Sequence, residues 1–490
     1  MHTKTWTKLI TRRLAVQVAI AWNYGFGMMF FDRYHAVIPS TLVYYDGKKT
    51  DYFVDAKDLD EFNKQLDKNL QNTEFVHSMI PEAKEFVEEK YMFVKDIIKD
   101  APQLSNPRLA MLYTQFSKHH SEYYTRMWMV FRICERIVDK IEAMLKLSGK
   151  DELKIKELSR IFSTPLKPND VTNERIDMLQ LALRKAKKEI NEEELRKELE
   201  IHAEKYRHIP MFDFDHEPFA FEHFASEFEK IKDAETESNK ITESFEKRNS
   251  EFEKALSELQ PNSELNNLIV MLKKAVLLRD YRDMIRQKLN LSVQEFYTVI
   301  GARVGLNVEE VALLTNKEIE EYLNASSNFP REEIKNRKTA FLLFQDDNAE
   351  NTKVEILSGR SAKDKAEQLK LYKSIEIATK IQGIAANTKR TGGIAKIVHT
   401  NLDFDKIKDG DIIVASMTRQ DFVPHMRKAS GIVTNEGGIT CHAAIIAREL
   451  GLPCIVGAEN ATLHISDGDF IFLDGESGSV EIVKRALREV

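Results

Sequence analysis

Gly437-Gly438-Ile439-Thr440-Cys441-His442-Ala443-Ala444-Ile445-Ile446-Ala447-Arg448-Glu449-Leu450-Gly451-Leu452-Pro453 is the stretch that decides how the C-terminal part of this chain is read. A loop with two glycines, Gly437 and Gly438, runs into a helix start, and glycine lets a backbone approach an anion closely. The first N–H groups of a helix have no intrahelical partners, and together with the helix dipole they make an anion site. His442 lies where that site would be. A helix N-terminus disfavours imidazolium, so the ring is expected to be neutral and nucleophilic near neutral pH. A phosphoryl group on it would present oxygens to those N–H groups and to the Thr440 hydroxyl. A covalent relay needs this combination. A histidine that merely caps a helix fits the same local pattern. Cys441 has a nucleophile reading of its own, since a helix N-terminus lowers thiol pKa, but nothing around it supplies a partner base.

Outward from this stretch, residues 378–487 are rich in glycine and in short β-branched runs, at 394–399, 411–415, 431–434, 453–456, 469–473 and 480–483. With a helix over 442–450 they read as a compact α/β domain joined to a helical body. That body, residues 76–375, is sparse in proline and glycine, with charged and apolar residues alternating at helical spacing. Single long helices are expected over 108–147 and 219–259. Phe221, Phe224, Phe228 and Ile231 form a stripe that reads as a packing seam. A β-pair is expected at 340–344 and 353–357, with the acidic connector 346–350 as a solvated loop, because no spaced metal-ligand loop is present.

The first segment, residues 1–75, is mixed. Lys4, Lys8, Arg12 and Arg13 precede an apolar stretch that superficially resembles a signal peptide or anchor. Gln17 and Asn23 interrupt it, which favours a buried packing helix. Two β-rich runs flank Asp46-Gly47 and read as a hairpin, followed by a helix from Ala56 to Leu70.

Composition sets outer bounds. A chain of 490 residues has room for two to four domains. A formal net charge of −6 offers no basic footprint for nucleic acid. The three cysteines, Cys134, Cys441 and Cys454, form neither a disulfide framework nor a zinc pair, so a reducing cytoplasm is the simplest home. No metal site and no membrane span are expected.

The 437–453 segment resembles the phosphohistidine signature of the PEP-utilising enzymes, the group containing phosphoenolpyruvate synthase and pyruvate phosphate dikinase. The likeness extends to Gly410-Asp-Ile-Ile-Val-Ala415, Met417-Thr418, Asp421, Pro424, Gly431-Ile-Val-Thr434, Gly457, Asp467-Gly468 and Leu473-Asp474-Gly475. It implies a swivelling β/β/α domain in which His442 shuttles a phosphoryl group between two sites, Thr440 orients that group, and Gly437, Gly438 and Cys441 line it. The body is similar to the middle of PEP-synthase-like proteins at Ile201-His-Ala-Glu-Lys-Tyr206 and at Leu278-Arg-Asp-Tyr-Arg282. Rifampin phosphotransferase has a comparable order of helical and histidine domains. Neither the ATP-grasp domain of the full-length enzymes nor their PEP/pyruvate barrel is evident. The resemblance therefore implies a separate ATP-grasp protein as partner, with Mg-ATP or PEP at its donor site, and a small-molecule phosphoryl acceptor.

The expected architecture is multidomain α+β, a largely α-helical body with a C-terminal swivelling phosphohistidine domain. Two clusters remain as acceptor-site candidates: His119 with Arg126, and the row Arg279, Arg282 and Arg286. Each reads first as a salt-bridged surface, with Asp280, Asp283 and Glu295 close by in sequence. His202 and His208 read as structural. The rival to a phosphotransferase is a non-catalytic scaffold that uses the histidine domain as a sensing or binding module.

Overall fold

The computed structural model describes residues 4–12, 14–26, 37–71, 73–213, 216–325, 331–348, 351–371, 378–399, 401–419, 422–438 and 441–486. Thr440 and Asp421, singled out by the signature, lie outside the described residues.

Three long helices build the body: Thr73–Asp100, Asn106–Leu147 and Ser263–Val304. Their ends follow local chemistry. Asn262 caps the third helix by accepting from the Leu265 N–H at 2.9 Å, and Gly305, left-handed at φ 70°, closes it. Ile133, Ile137, Leu272, Ala275 and Val293 are buried where these helices meet. The expected single helix over 219–259 is two, Phe221–Glu229 and Ala234–Leu259. The break comes at Asp233, whose carboxylate accepts from the Thr236 N–H and starts the second helix afresh.

The apolar N-terminal stretch is the helix Val16–Phe26, with Val16, Ala19 and Trp22 in the same core. Its Gln17 is buried and donates to the Leu314 carbonyl, which explains a polar residue at this position. Residues 27–36 lie outside the described residues. Strands β1 (Trp6–Arg12), β2 (Ser40–Tyr45) and β3 (Thr50–Asp55) join β4 (Phe341–Asn348) and β5 (Asn351–Ser358) in one antiparallel sheet of order β1-β3-β2-β4-β5. The hairpin at Asp46-Gly47 and the later β-pair are therefore parts of one sheet. It draws strands from both sides of the expected boundary near residue 75, and much of the acidic connector is strand.

The C-terminal domain carries eight strands, β6 (Lys380–Gln382), β7 (Ile384–Ala385), β8 (Arg390–Val398), β9 (Ile412–Ala415), β10 (Gly431–Thr434), β11 (Cys454–Val456), β12 (Phe470–Asp474) and β13 (Ser479–Lys484), in the order β6-β13-β12-β8-β9-β10-β11-β7. The central strands β8 to β11 are parallel, and β9, β10 and β11 are buried throughout. Parallel strands covered on both faces read as continuous apolar runs, as these do. Ile412, Val414, Val433 and Ile455 face one core, and Ile413, Ala415, Ile432 and Val456 the other. On that second face lies the helix His442–Leu450, which crosses from β10 to β11. Its buried residues Ala443, Ala444 and Ala447 are small enough to bring it close to the sheet.

Candidate active site

His442 is the first residue of its helix, and Cys441 is the N-cap in extended conformation. Gly437 opens the loop at φ +104°, where a Cβ would meet the Cys441 sulfur at 2.8 Å, so this position needs glycine on both counts. The Cys441 N–H donates to the Gly438 carbonyl at 3.0 Å and is occupied. Burial pushes the Cys441 thiol up, although the Ala443 and Ala444 N–H groups oppose this, so the cysteine is a neutral thiol.

The imidazole is held from β9's end of the domain. Thr418 Oγ1 lies 2.8 Å from His442 Nδ1. With the ring proton on Nδ1, that N–H donates to the hydroxyl and the lone pair is left on Nε2. Nε2 is buried and has no hydrogen-bond partner among the described residues. Burial lowers the His442 pKa to about 4, Arg279 and Arg419 adding to the effect and Asp283 opposing it. Burial is the largest cause, and a ring lowered to about 4 is neutral near pH 7.

Arg279 and Asp283 belong to the body helix Ser263–Val304, so the C-terminal domain is docked with its histidine against that helix. The arginine row forms the expected ion pairs, Arg279 with Asp280 at 3.6 Å, Arg282 with Asp283 at 3.6 Å and Arg286 with Asp283 at 3.8 Å. The same row also faces the domain seam. Below it, Gln287 donates to the Ile209 carbonyl at 2.5 Å, Asn290 to Met211 and Phe212 at 3.0 and 2.8 Å, and Gln294 to His216 at 3.0 Å. These side-chain amides, of which Gln287 and Asn290 are buried, fix the loop that presents Phe212 and Asp213. Arg419, next to the histidine-anchoring threonine, donates to Asp213 at 2.9 Å across the seam. Burial opposes ionisation of Asp213, but Arg419, His216 and Arg286 outweigh it and hold the carboxyl below its ordinary value. Met417 packs on the core of the body.

The other candidates are placed elsewhere. His119 lies 3.1 Å from Lys90 Nζ and 3.3 Å from Glu122, and Arg126 stacks 3.8 Å over Phe86; this cluster does not include His442. His202 and His208 bind Glu174 and Asp170 at 2.9 and 2.6 Å and tie neighbouring helices together. Sequence reasoning gave no site role to Thr418, Arg419, Asp213 or Arg12. Thr418 lies within the motif-bearing stretch, but the others make contacts that only the fold brings together. Among the described residues, no cluster of His, Cys, Asp and Glu could hold a metal ion, and no helix is long and apolar enough to cross a membrane.

A second seam contact is expected to depend on pH. Glu436 accepts from the Thr11 N–H of β1 at 3.3 Å. Burial raises its pKa to about 7, against the opposing pull of Arg12 and Lys8, with Asp51 adding to the rise. If undocking returns Glu436 to an ordinary carboxylate value, the docked state binds the extra proton. Glu436 then favours docking at low pH, and its contribution is lost as pH rises through about 7. His442 acts oppositely, weakening docking as pH falls below its ordinary value toward about 4. Fluorophores placed on body and domain should report less docking at pH 8 than at pH 6.5 in the native protein. In Glu436→Gln this difference should vanish; an unchanged pH profile would exclude Glu436 as its source.

Residues 407–478 match the family model of the PEP-utilising enzyme mobile domain. Over 108 residues the chain is 48% identical to a probable phosphoenolpyruvate synthase of Methanothermobacter thermautotrophicus, covering 22% of this chain and 16% of that protein. It is 46% identical over 103 residues to phosphoenolpyruvate synthase of Deinococcus radiodurans, covering 20% of this chain and 13% of the relative. The corresponding Escherichia coli enzyme is 43% identical over 108 residues, 22% of this chain and 14% of that enzyme. The chain thus spans about a sixth or less of the length of these relatives. The resemblance read from the signature is shown over the C-terminal domain, where the mobile-domain model and the phosphoenolpyruvate synthases match.

Proposed function

We propose that this chain is a phosphotransferase component in which His442 Nε2 carries a phosphoryl group to a small acceptor held by the helical body. The observation that carries the reading is the buried, unpartnered Nε2, whose ring is anchored through Nδ1 and which faces the body's arginine row. With Nδ1 protonated, Nε2 attacks phosphorus as its lone pair becomes the N–P bond, while the P–O bond to the donor breaks and its electron pair leaves with the donor oxygen. On discharge that bond breaks and its electron pair returns to Nε2, an acceptor hydroxyl oxygen takes the phosphoryl group and gives up its proton to solvent, and the ring departs as neutral imidazole. During discharge, with the domain docked, Arg279 and Arg419 stabilise the phosphoryl oxygens.

Nε2 is inaccessible while docked, so charging takes place with the domain released. The domain therefore swivels between a donor and the body. The donor is a separate ATP-grasp protein using Mg-ATP, or a PEP-using site, and the compartment is the reducing cytoplasm, in keeping with the free thiols Cys134, Cys441 and Cys454. Intact-mass analysis after incubation with cell extract and ATP, or with PEP, tests this. One added phosphoryl group is expected, lost in acid and retained in base. No mass gain with either donor, or a mass gain that survives acid, would defeat the reading.

A further inference from the structure

The cationic surface at the seam extends beyond the groups that act on His442. The guanidinium groups of Arg286 and Arg419 both lie 5.2 Å from the ring centroid of Phe212, one arriving from the body and one from the mobile domain. Arg419 has Asp213 at 2.9 Å, whereas the carboxylate of Asp283 stands 3.8 Å from Arg286 and also serves Arg282. Among the described residues, neither Arg286 Nε nor His442 Nε2, both buried, has a hydrogen-bond partner. A third cation enters from β1: Arg12 Nη1 donates to the Thr11 carbonyl at 2.8 Å, beside the Thr11 N–H that Glu436 accepts. Burial lowers Arg12 to about 10, with Arg419 and Arg286 contributing and with Glu436 and Asp213 opposing. Glu436 is itself only partly ionised near neutral pH.

Arg286 and Arg419 therefore meet at one ring from the two sides of the seam, and Arg12 lies close enough for its charge to act with theirs. Guanidinium groups present forked donors suited to carboxylate and phosphate. Arg419 belongs both to the groups acting on His442 and to those acting on Arg12, so it bridges the phosphoryl position and this outer cluster.

We propose that Arg286 and Arg12, bridged by Arg419, form an oxyanion subsite that seats a carboxylate or phosphate of the acceptor beside His442 Nε2. Acceptors then carry this anionic group in addition to the oxygen that is phosphorylated. The word acceptor rests on the phosphotransfer reading; the binding of an anion does not.

The test is calorimetric titration of the full, unphosphorylated chain with inorganic phosphate, glycerate and glycerol. Phosphate, glycerate or both should bind, which distinguishes the two sources of the anion, and uncharged glycerol should not. Arg286→Gln and Arg12→Gln should each weaken anion binding about tenfold or more, with Arg286→Lys in between. If Arg286→Gln fails to fold by circular dichroism, Arg286→Lys and Arg12→Gln decide the matter. The proposal is overturned if neither anion binds or if glycerol binds as well as glycerate. It is also overturned if binding is lost only in Arg279→Gln, which would place the anion at the phosphoryl position. Anion binding that depends on Arg286 in a protein never phosphorylated on His442 would leave the subsite standing and remove the phosphotransfer reading alone.

Discussion

His442→Ala is expected to abolish phosphoryl uptake and transfer altogether, leaving a folded protein. The side chain supplies the nucleophilic nitrogen, and a relay without its nucleophile has no alternative covalent carrier. Cys441 cannot substitute, because its thiol is pushed up by burial and held neutral. Folding should survive, because the helix it begins is fixed by Ala443, Ala444 and Ala447 against the sheet. Thermal unfolding and phosphoryl incorporation, measured on the same preparation, check both halves. Incorporation at a native level in His442→Ala would place the chemistry on another residue.

Arg279→Gln is expected to slow discharge from the phosphorylated protein to an added acceptor by about 100- to 1,000-fold. Arg279 is, after burial, the largest influence on the His442 ring, and it sits on the body, not on the domain that carries the histidine. It therefore acts only in the docked arrangement. Charging by the donor, which takes place undocked, should keep a near-native rate. This division separates a transfer role from a general folding defect, since a misfolded protein would lose both steps. Arg279→Lys keeps the charge but not the forked donors and should fall between the two. Equal losses in charging and discharge would argue against a docked transfer state.

The sequence was legible where the chemistry is local. The loop, helix start and following strand around His442 obey short-range rules, and strands 412–415, 431–434 and 454–456 appear as the apolar runs that a buried parallel sheet requires. The hairpin at Asp46-Gly47 was legible for the same reason. Its pairing with β4 was not, because a strand's sequence does not state which distant strand completes it. The arginine row shows the limit most clearly. Arg279, Arg282 and Arg286 do make the ion pairs that a surface reading expects. Nothing within the helix reveals that the row also faces a histidine from another domain. Thr418 was visible as part of a motif, but its hold on Nδ1 depends on how the end of β9 meets the helix after β10. Arg12 looked like a charge flanking an apolar stretch and stands instead on an edge strand at the seam.

The account's central claim is that His442 receives phosphorus on Nε2 because Thr418 occupies Nδ1. Phosphorus and nitrogen NMR of the charged protein, with histidine nitrogen-labelled, reads the position of the bond directly. The account predicts a single acid-labile phosphohistidine with phosphorus coupled to Nε2. Phosphorus coupled to Nδ1, or a stable phosphate on any other residue, would contradict it.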